Sequence, residues 1–183
     1  GSGDVGGVVG HNNNSEKYVS KIKNCFSTGA VSSGNSSNVG SVVGQIATGD
    51  VSDCYYLGQE GLPGIGSGTA TNVVSKAAEQ FASGEVAWLL QRWQNEQDEQ
   101  DEQVWGQQLT FKDGAEGNKL YAYGYANSGA PVANWPADPE APEGQAFAGW
   151  YSGNTKYESG ATFTEDTTLT AKFETPYTVT VNG

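Results

Sequence analysis

One glycine-hydrophobic phrase occurs twice near the start of the chain, as Val5-Gly6-Gly7-Val8-Val9-Gly10 and Val39-Gly40-Ser41-Val42-Val43-Gly44. A second echo follows each copy, Ile22–Gly29 (IKNCFSTG) and Val51–Gly58 (VSDCYYLG), with a cysteine at the matching place. Recurrence at a fixed offset, 34 residues from Val5 to Val39, marks stacked units that bury their apolar faces against one another rather than alone. Glycine lets adjacent backbones approach closely, and the valines and isoleucines favour extended chain. We therefore expect a mainly β protein that opens with a short β-solenoid over residues 3–68. Val8/Val9 and Val42/Val43 should hold equivalent rung positions, with strands at Val5–Val9 and Val19–Cys25. The stretches HNNNSEK, SSGNSSN, ATGD and LPGIGSG read as turns.

Charge and composition remove several function classes. Nine basic residues against 21 acidic ones give a formal charge of −12, and Arg92 is the single arginine. Nucleic-acid binding needs clustered cations against phosphate, so no nucleic-acid partner is expected, and anionic lipid is repelled for the same reason. No apolar run approaches the roughly 18 residues of a membrane span, so no membrane insertion is expected in this segment. His11 is the only histidine, and Cys25 and Cys54 are the only cysteines. No zinc-type spacing follows from such a set, and no metal or cofactor is expected. Gly1-Ser2 reads as a tag remnant, and the absence of methionine suits a segment of a longer protein.

Residues 75–105 read as a helical connector. Val86, Leu89, Leu90 and Trp93 recur at helical spacing behind Ser83, a cap for a helix starting at Gly84, and Trp88 is a structural aromatic. The run Asn95–Gln103 carries five carboxylates and no counter-charge. It reads as a solvated linker, since it lacks the glycine bend and the ligand pattern of an EF-hand calcium loop. Residues 106–175 turn to β again. Lys119–Ala126 alternates Leu120, Ala122, Gly124 and Ala126 with Tyr121, Tyr123 and Tyr125, and Ala130–Pro142 reads as a loop. Further strands are expected at Ala146–Tyr151, Ala161–Phe163 and Thr167–Phe173, and residues 176–183 begin a following segment.

Two stretches resemble known families. The first 58 residues are similar to the GLUG repeat of large bacterial surface proteins and some secreted proteases. Gly6-Gly7-Val8-Val9-Gly10 matches its phrase fully, while the second copy departs at Ser41. That resemblance implies a β-solenoid without catalytic residues. Residues 119–173 resemble the Listeria–Bacteroides (internalin B-type) repeat through Phe147-Ala148-Gly149-Trp150-Tyr151 and Thr167–Phe173. This second resemblance implies a small β-grasp-like module of cell-wall proteins, and the pair together point to surface proteins of gut Gram-positive bacteria.

No residue set here reads as catalytic. Cys25 and Cys54 are expected on adjacent rungs, either as buried free thiols or joined by a disulfide, and His11 reads as a solvent-facing turn residue. Glu165 with Asp166, and Asp138 with Glu140 and Glu143, lie in turns without the fixed separation that glycoside hydrolysis requires. Trp150 and Phe173 are expected to be structural, Trp150 in the core. Tyr121, Tyr123 and Tyr125 form the candidate binding stripe, suited to stacking on sugar rings or docking a protein. The expected function is a non-catalytic stalk segment of an extracellular adhesin-like protein, with neighbouring modules of the same polypeptide as partners. The alternatives are a binding module for host glycan or protein through the aromatic face, and an accessory region of a secreted hydrolase.

Overall fold

The computed structural model describes residues 3–15, 17–34, 37–95, 105–115 and 117–176. Most of the acidic run, and nearly all of the following segment expected at residues 176–183, lie outside them. The fold is mainly β, with several sheets and one short helical segment. The chain divides into two compact units, residues 1–82 with 89–102 and residues 83–88 with 103–183.

In the first unit, β1 (Val5–Gly6), β2 (Val9–Asn12), β3 (Lys21–Lys23) and β4 (Phe26–Ser27) form the first copy. The second holds β5 (Val39–Gly40), β6 (Val43–Ile46) and β7 (Asp50–Leu57). All pairing between copies is parallel and follows the repeat: Val5 lies beside Val39, Val9 beside Val43 and Ile22 beside Val51. A third copy follows in β8 (Ile65–Ser67) and β9 (Thr71–Lys76), with Ile65 beside Val43 and Val73 beside Cys54. LPGIGSG, expected as a turn, therefore supplies a strand, and the stacking runs to Lys76. The copies repeat the same hydrogen bonds: Val8 and Val9 N–H donate to Val42 O, and Val42 and Val43 N–H donate to Gly64 O. Val42, Val43, Ile46, Val51, Ile22 and Cys54 form the buried core of this stack.

Close approach explains the recurring glycine. A Cβ on Gly40 would lie 2.7 Å from Gly66 N and 2.8 Å from Gly64 O, and one on Gly44 would lie 2.6 Å from both Gly10 O and Val5 N. Backbone occupies the space a side chain would need. A second repeated feature precedes the cysteines. Asn24, Asp53 and Asn72 take φ of 52°, 53° and 52° at equivalent places in the three copies, a left-handed conformation that short polar side chains adopt most readily outside glycine. Asn72 Nδ2 donates to Asp53 Oδ1 at 2.8 Å, tying one copy to the next.

The helical segment comprises α1 (Ala78–Ala82) and α2 (Glu85–Asn95). Trp88 N–H donates to Gly84 O at 2.9 Å, so Gly84 rather than Ser83 holds the capping position, and Ser83 Oγ accepts from Glu85 N–H at 3.4 Å. Glycine is required there twice over: φ is +93°, and a Cβ would lie 2.6 Å from Asn127 N. Val86 and Leu90 are buried on the apolar stripe.

The second unit holds a five-stranded sheet in the order β11-β10-β14-β12-β13. Its members are β10 (Gly106–Lys112), β11 (Leu120–Asn127), β12 (Ala146–Ser152), β13 (Thr155–Tyr157) and β14 (Thr167–Glu174). β10 and β14 run parallel, and the other pairs are antiparallel. Alternation in β10 and β14 buries Leu109, Phe111, Leu169 and Ala171 on one face, where Trp150 of the bulged β12 and Val132 and Phe163 from the loops complete the core. Residues 161–163 form no strand; Thr162 makes only an isolated bridge to Pro131. Phe173 packs at the margin of this core, its ring 6.1 Å from Phe147.

Candidate binding face

The tyrosine alternation in β11 is interrupted once. Pairing with β10 runs from Gly106↔Asn127 to Phe111↔Ala122 and then shifts, Lys112 pairing with Leu120. Tyr121 is the extra residue of this bulge, a device that re-aims side chains. Its ring sits 5.6 Å from Trp150 on the core side of the sheet, although the residue remains 41% exposed. Tyr123 and Tyr125 pair with Thr110 and Gln108 and lie on the opposite face. The structure thus keeps two of the three tyrosines together and turns the third away.

Tyr123 is the more open, at 46% exposure, while Tyr125 is built into a polar and aromatic group. Its ring lies 5.9 Å from Trp88, and its hydroxyl accepts from Gln108 Nε2 at 3.2 Å. Asp166 joins the parts, with Oδ1 accepting from Gln108 N–H at 2.7 Å and Oδ2 from Trp88 Nε1 at 3.0 Å. Asn134 closes the free edge of the strand beside them. Its Oδ1 accepts from Tyr125 N–H at 3.1 Å, and its Nδ2 donates to Tyr123 O at 3.4 Å. These two bonds occupy part of the free edge that another strand would otherwise pair with. Sequence reasoning missed Gln108 and Asp166. The alternation of QQLTFK places Gln108 opposite the Leu109/Phe111 face, but nothing local marks Asp166 as the partner of a tryptophan.

The other candidates have quieter settings. Both cysteines are free thiols; Cys54 Sγ donates to Ser52 O at 3.1 Å and Cys25 Sγ to Lys23 O at 3.2 Å. Burial pushes the Cys54 thiol up to about 11, which disfavours the thiolate that nucleophilic chemistry requires. His11 lies in β2 rather than in a turn, with Nδ1 2.6 Å from Asp4 Oδ2. That contact and the hydrogen bond from Asn38 Nδ2, 2.7 Å from Asp4 Oδ1, hold the Asp4 carboxyl below the usual carboxylate value. Among the described residues no group of three or more His, Cys, Asp or Glu side chains is placed to hold a metal ion. No described helix is long and apolar enough to cross a membrane.

Comparison with known families adds one match: the model of the GLUG motif covers residues 1–32, the first copy of the stack. No curated protein and no solved structure matches the chain.

Proposed function

We propose that this chain is a non-catalytic binding segment of a bacterial cell-surface or secreted protein, contacting host glycan or protein through the aromatic face of its second unit. The observation that carries this reading is Tyr123, open to solvent beside a Tyr125–Trp88 pair pinned by Gln108 and Asp166. Aromatic surface held in place by shared hydrogen bonds offers contact area at low entropic cost. The GLUG match and the parallel three-copy stack support a solenoid-like support for that face, on an extracellular protein of the adhesin type. The resemblance of residues 119–173 to the Listeria–Bacteroides repeat supports a β-grasp-like identity for the second unit and a Gram-positive source. A stalk role is the second reading, favoured by the stack itself, whose buried core is made mainly of valine and isoleucine with Cys54.

The test is a glycan array together with immobilised host surface proteins, probed with the native chain and with Tyr123→Ser/Tyr125→Ser. Saturable binding lost in the double variant, with the melting transition retained, supports the binding reading. No saturable binding by the native chain to either panel leaves the stalk.

A further inference from the structure

The core side of the second unit's sheet carries a cleft of about 380 Å³, away from the Tyr123/Tyr125 face. Trp135, Phe147 and Tyr157, all half-buried, line it together with the buried Trp150. Its remaining chemistry is of mixed sign. Asp138 and Glu158 contribute carboxylates, Lys156 an ammonium 3.8 Å from Glu158 Oε1, and Ser159 a hydroxyl. Trp150 Nε1 is buried with no hydrogen-bond partner, although the residue is only 2% exposed. An orphaned donor in a closely packed core costs stability unless something accepts from it.

Gly149 takes φ of +138°, a conformation that favours glycine, and the Lys156 side chain passes over it. Tyr157 pairs with Trp150 and Lys156 with Tyr151, so Lys156 leaves β13 on the side opposite Trp150 and borders the cleft at its edge. Gly149 also sits at the register shift between β12 and β14, where Phe147 pairs with Phe173 and Gly149 with Lys172.

We propose that this cleft binds one neutral pyranose unit of a glycan. Aromatic rings stack on the apolar face of a sugar, and the mixture of acceptors and donors at the rim complements hydroxyl groups, each of which both donates and accepts. Charge narrows the choice. Asp138 and Glu158 outnumber Lys156, which is itself paired with Glu158, so a phosphate, sulfate or carboxylate is repelled. The volume lies within the range of small-ligand sites, and the polar share of its lining, from Asp138, Lys156, Glu158 and Ser159, suits a ligand rich in hydroxyl groups. A larger cleft of about 460 Å³ beside Asp50, Asp53 and Thr71 in the first unit has no aromatic lining and carries no such reading. The inference uses none of the residues of the tyrosine face and stands whether or not that face binds.

The experiment follows the indole N–H resonances of the intact chain by NMR during titration with methyl β-glucopyranoside, methyl β-galactopyranoside and N-acetylglucosamine. Lysine methyl ester and acetate serve as charged probes. The expected result is saturable movement of the Trp150 and Trp135 indole signals with at least one neutral sugar, at a dissociation constant near 1 mM, about 4 kcal/mol. Asp138→Ala and Lys156→Ala, both at solvent-exposed side chains, should each weaken binding about tenfold or more, while Tyr123→Ser leaves it unchanged. A melting curve of each variant separates lost binding from lost fold. Three outcomes would overturn the inference: no movement with any sugar at about 50 mM, some fifty times the expected constant; tighter binding of either charged probe; or affinity unchanged in both cleft variants.

Discussion

Replacing Trp150 with alanine tests the packing of the second unit most directly. The side chain is 2% exposed, and its ring meets Phe111 at 4.9 Å, Phe147 at 5.6 Å and Tyr121 at 5.6 Å. Phe111 is itself fully buried and also packs on Trp135 at 5.2 Å, so the cavity is lined by rings that collapse poorly. A buried tryptophan cut to alanine costs about 3–5 kcal/mol. Part of that is offset because the variant also removes the unpartnered Nε1, a group whose burial costs about 1–3 kcal/mol. The net loss should therefore be about 2 kcal/mol, or about 8–16 °C in the melting temperature of a unit this size. Trp150→Phe keeps much of the stacking and also deletes the orphan donor, so its loss should stay under about 1.5 kcal/mol. Urea melts followed by far-UV circular dichroism give the magnitudes, with hydrogen exchange at Leu109 and Leu169 amides assigning the change to this sheet. A Trp150→Ala loss below about 1 kcal/mol, or a Trp150→Phe loss equal to it, refutes the reasoning.

Other expectations concern the stack. Gly44→Ala should destabilise it by about 1–3 kcal/mol, because the new Cβ meets backbone that has no room to yield; Gly34→Ala, with nothing within 4 Å, is the neutral control, read from the urea midpoints. With a thiol reagent near pH 8, Cys25 should label in the native protein and Cys54 only on unfolding; equal rates at both sites would contradict the buried setting of Cys54. The Cys54 thiol is raised in the fold, so stability should fall as pH climbs from the unfolded thiol value, about 8.5, towards 11, and Cys54→Ala should remove that dependence. Asp4 moves the other way. Its carboxyl is depressed by His11 and Asn38, so its contribution is present above the unfolded carboxylate value, about 3.9, and is lost as pH falls through the lower folded value. Asn38→Ala should raise the Asp4 titration seen by NMR, and an unchanged midpoint would show that the contact does not persist in solution.

The legible parts of this fold were those in which the periodicity of the chain itself carries the information. The Val-Val-Gly phrases stack in register because glycine spacing reports backbone contact directly, and the Thr167–Glu174 alternation reports a strand with Leu169 and Ala171 inward. The third copy was hidden because Gly64-Ile65-Gly66 retains only the glycines and one apolar residue, and a shortened repeat looks like a turn. β10 and β13 were passed over for different reasons. Gln107, buried at 1% exposure, breaks the apolar pattern of β10, and β13 is three residues long. At the candidate face, a single-residue bulge undid the simplest reading of Tyr121, since period-2 alternation assumes unbroken pairing. Asp166 was beyond reach because it meets Trp88 and Gln108 across long stretches of chain.

The two units differ in how much freedom their architecture leaves for recognition. In the stack, positions such as Gly40, Gly44 and Gly66 are dictated by backbone on a neighbouring copy, and the inward positions mainly by valine and isoleucine packing. Variation is confined to outward residues and turns, as in the five-residue contraction between the first two glycine-to-cysteine gaps. In the second unit Val132 and Phe163 from the loops pack on one sheet face, which keeps the cleft beside Trp150, while Tyr123 and the threonines of β10 and β14 occupy the other. A sheet that buries one face and leaves the other to polar and aromatic side chains can change what it touches without changing what holds it together. Asp138 and Lys156 are likewise exposed residues set around a buried aromatic floor. Their substitution should alter recognition at little cost in stability, whereas substitution of Gly44 or Trp150 should do the reverse.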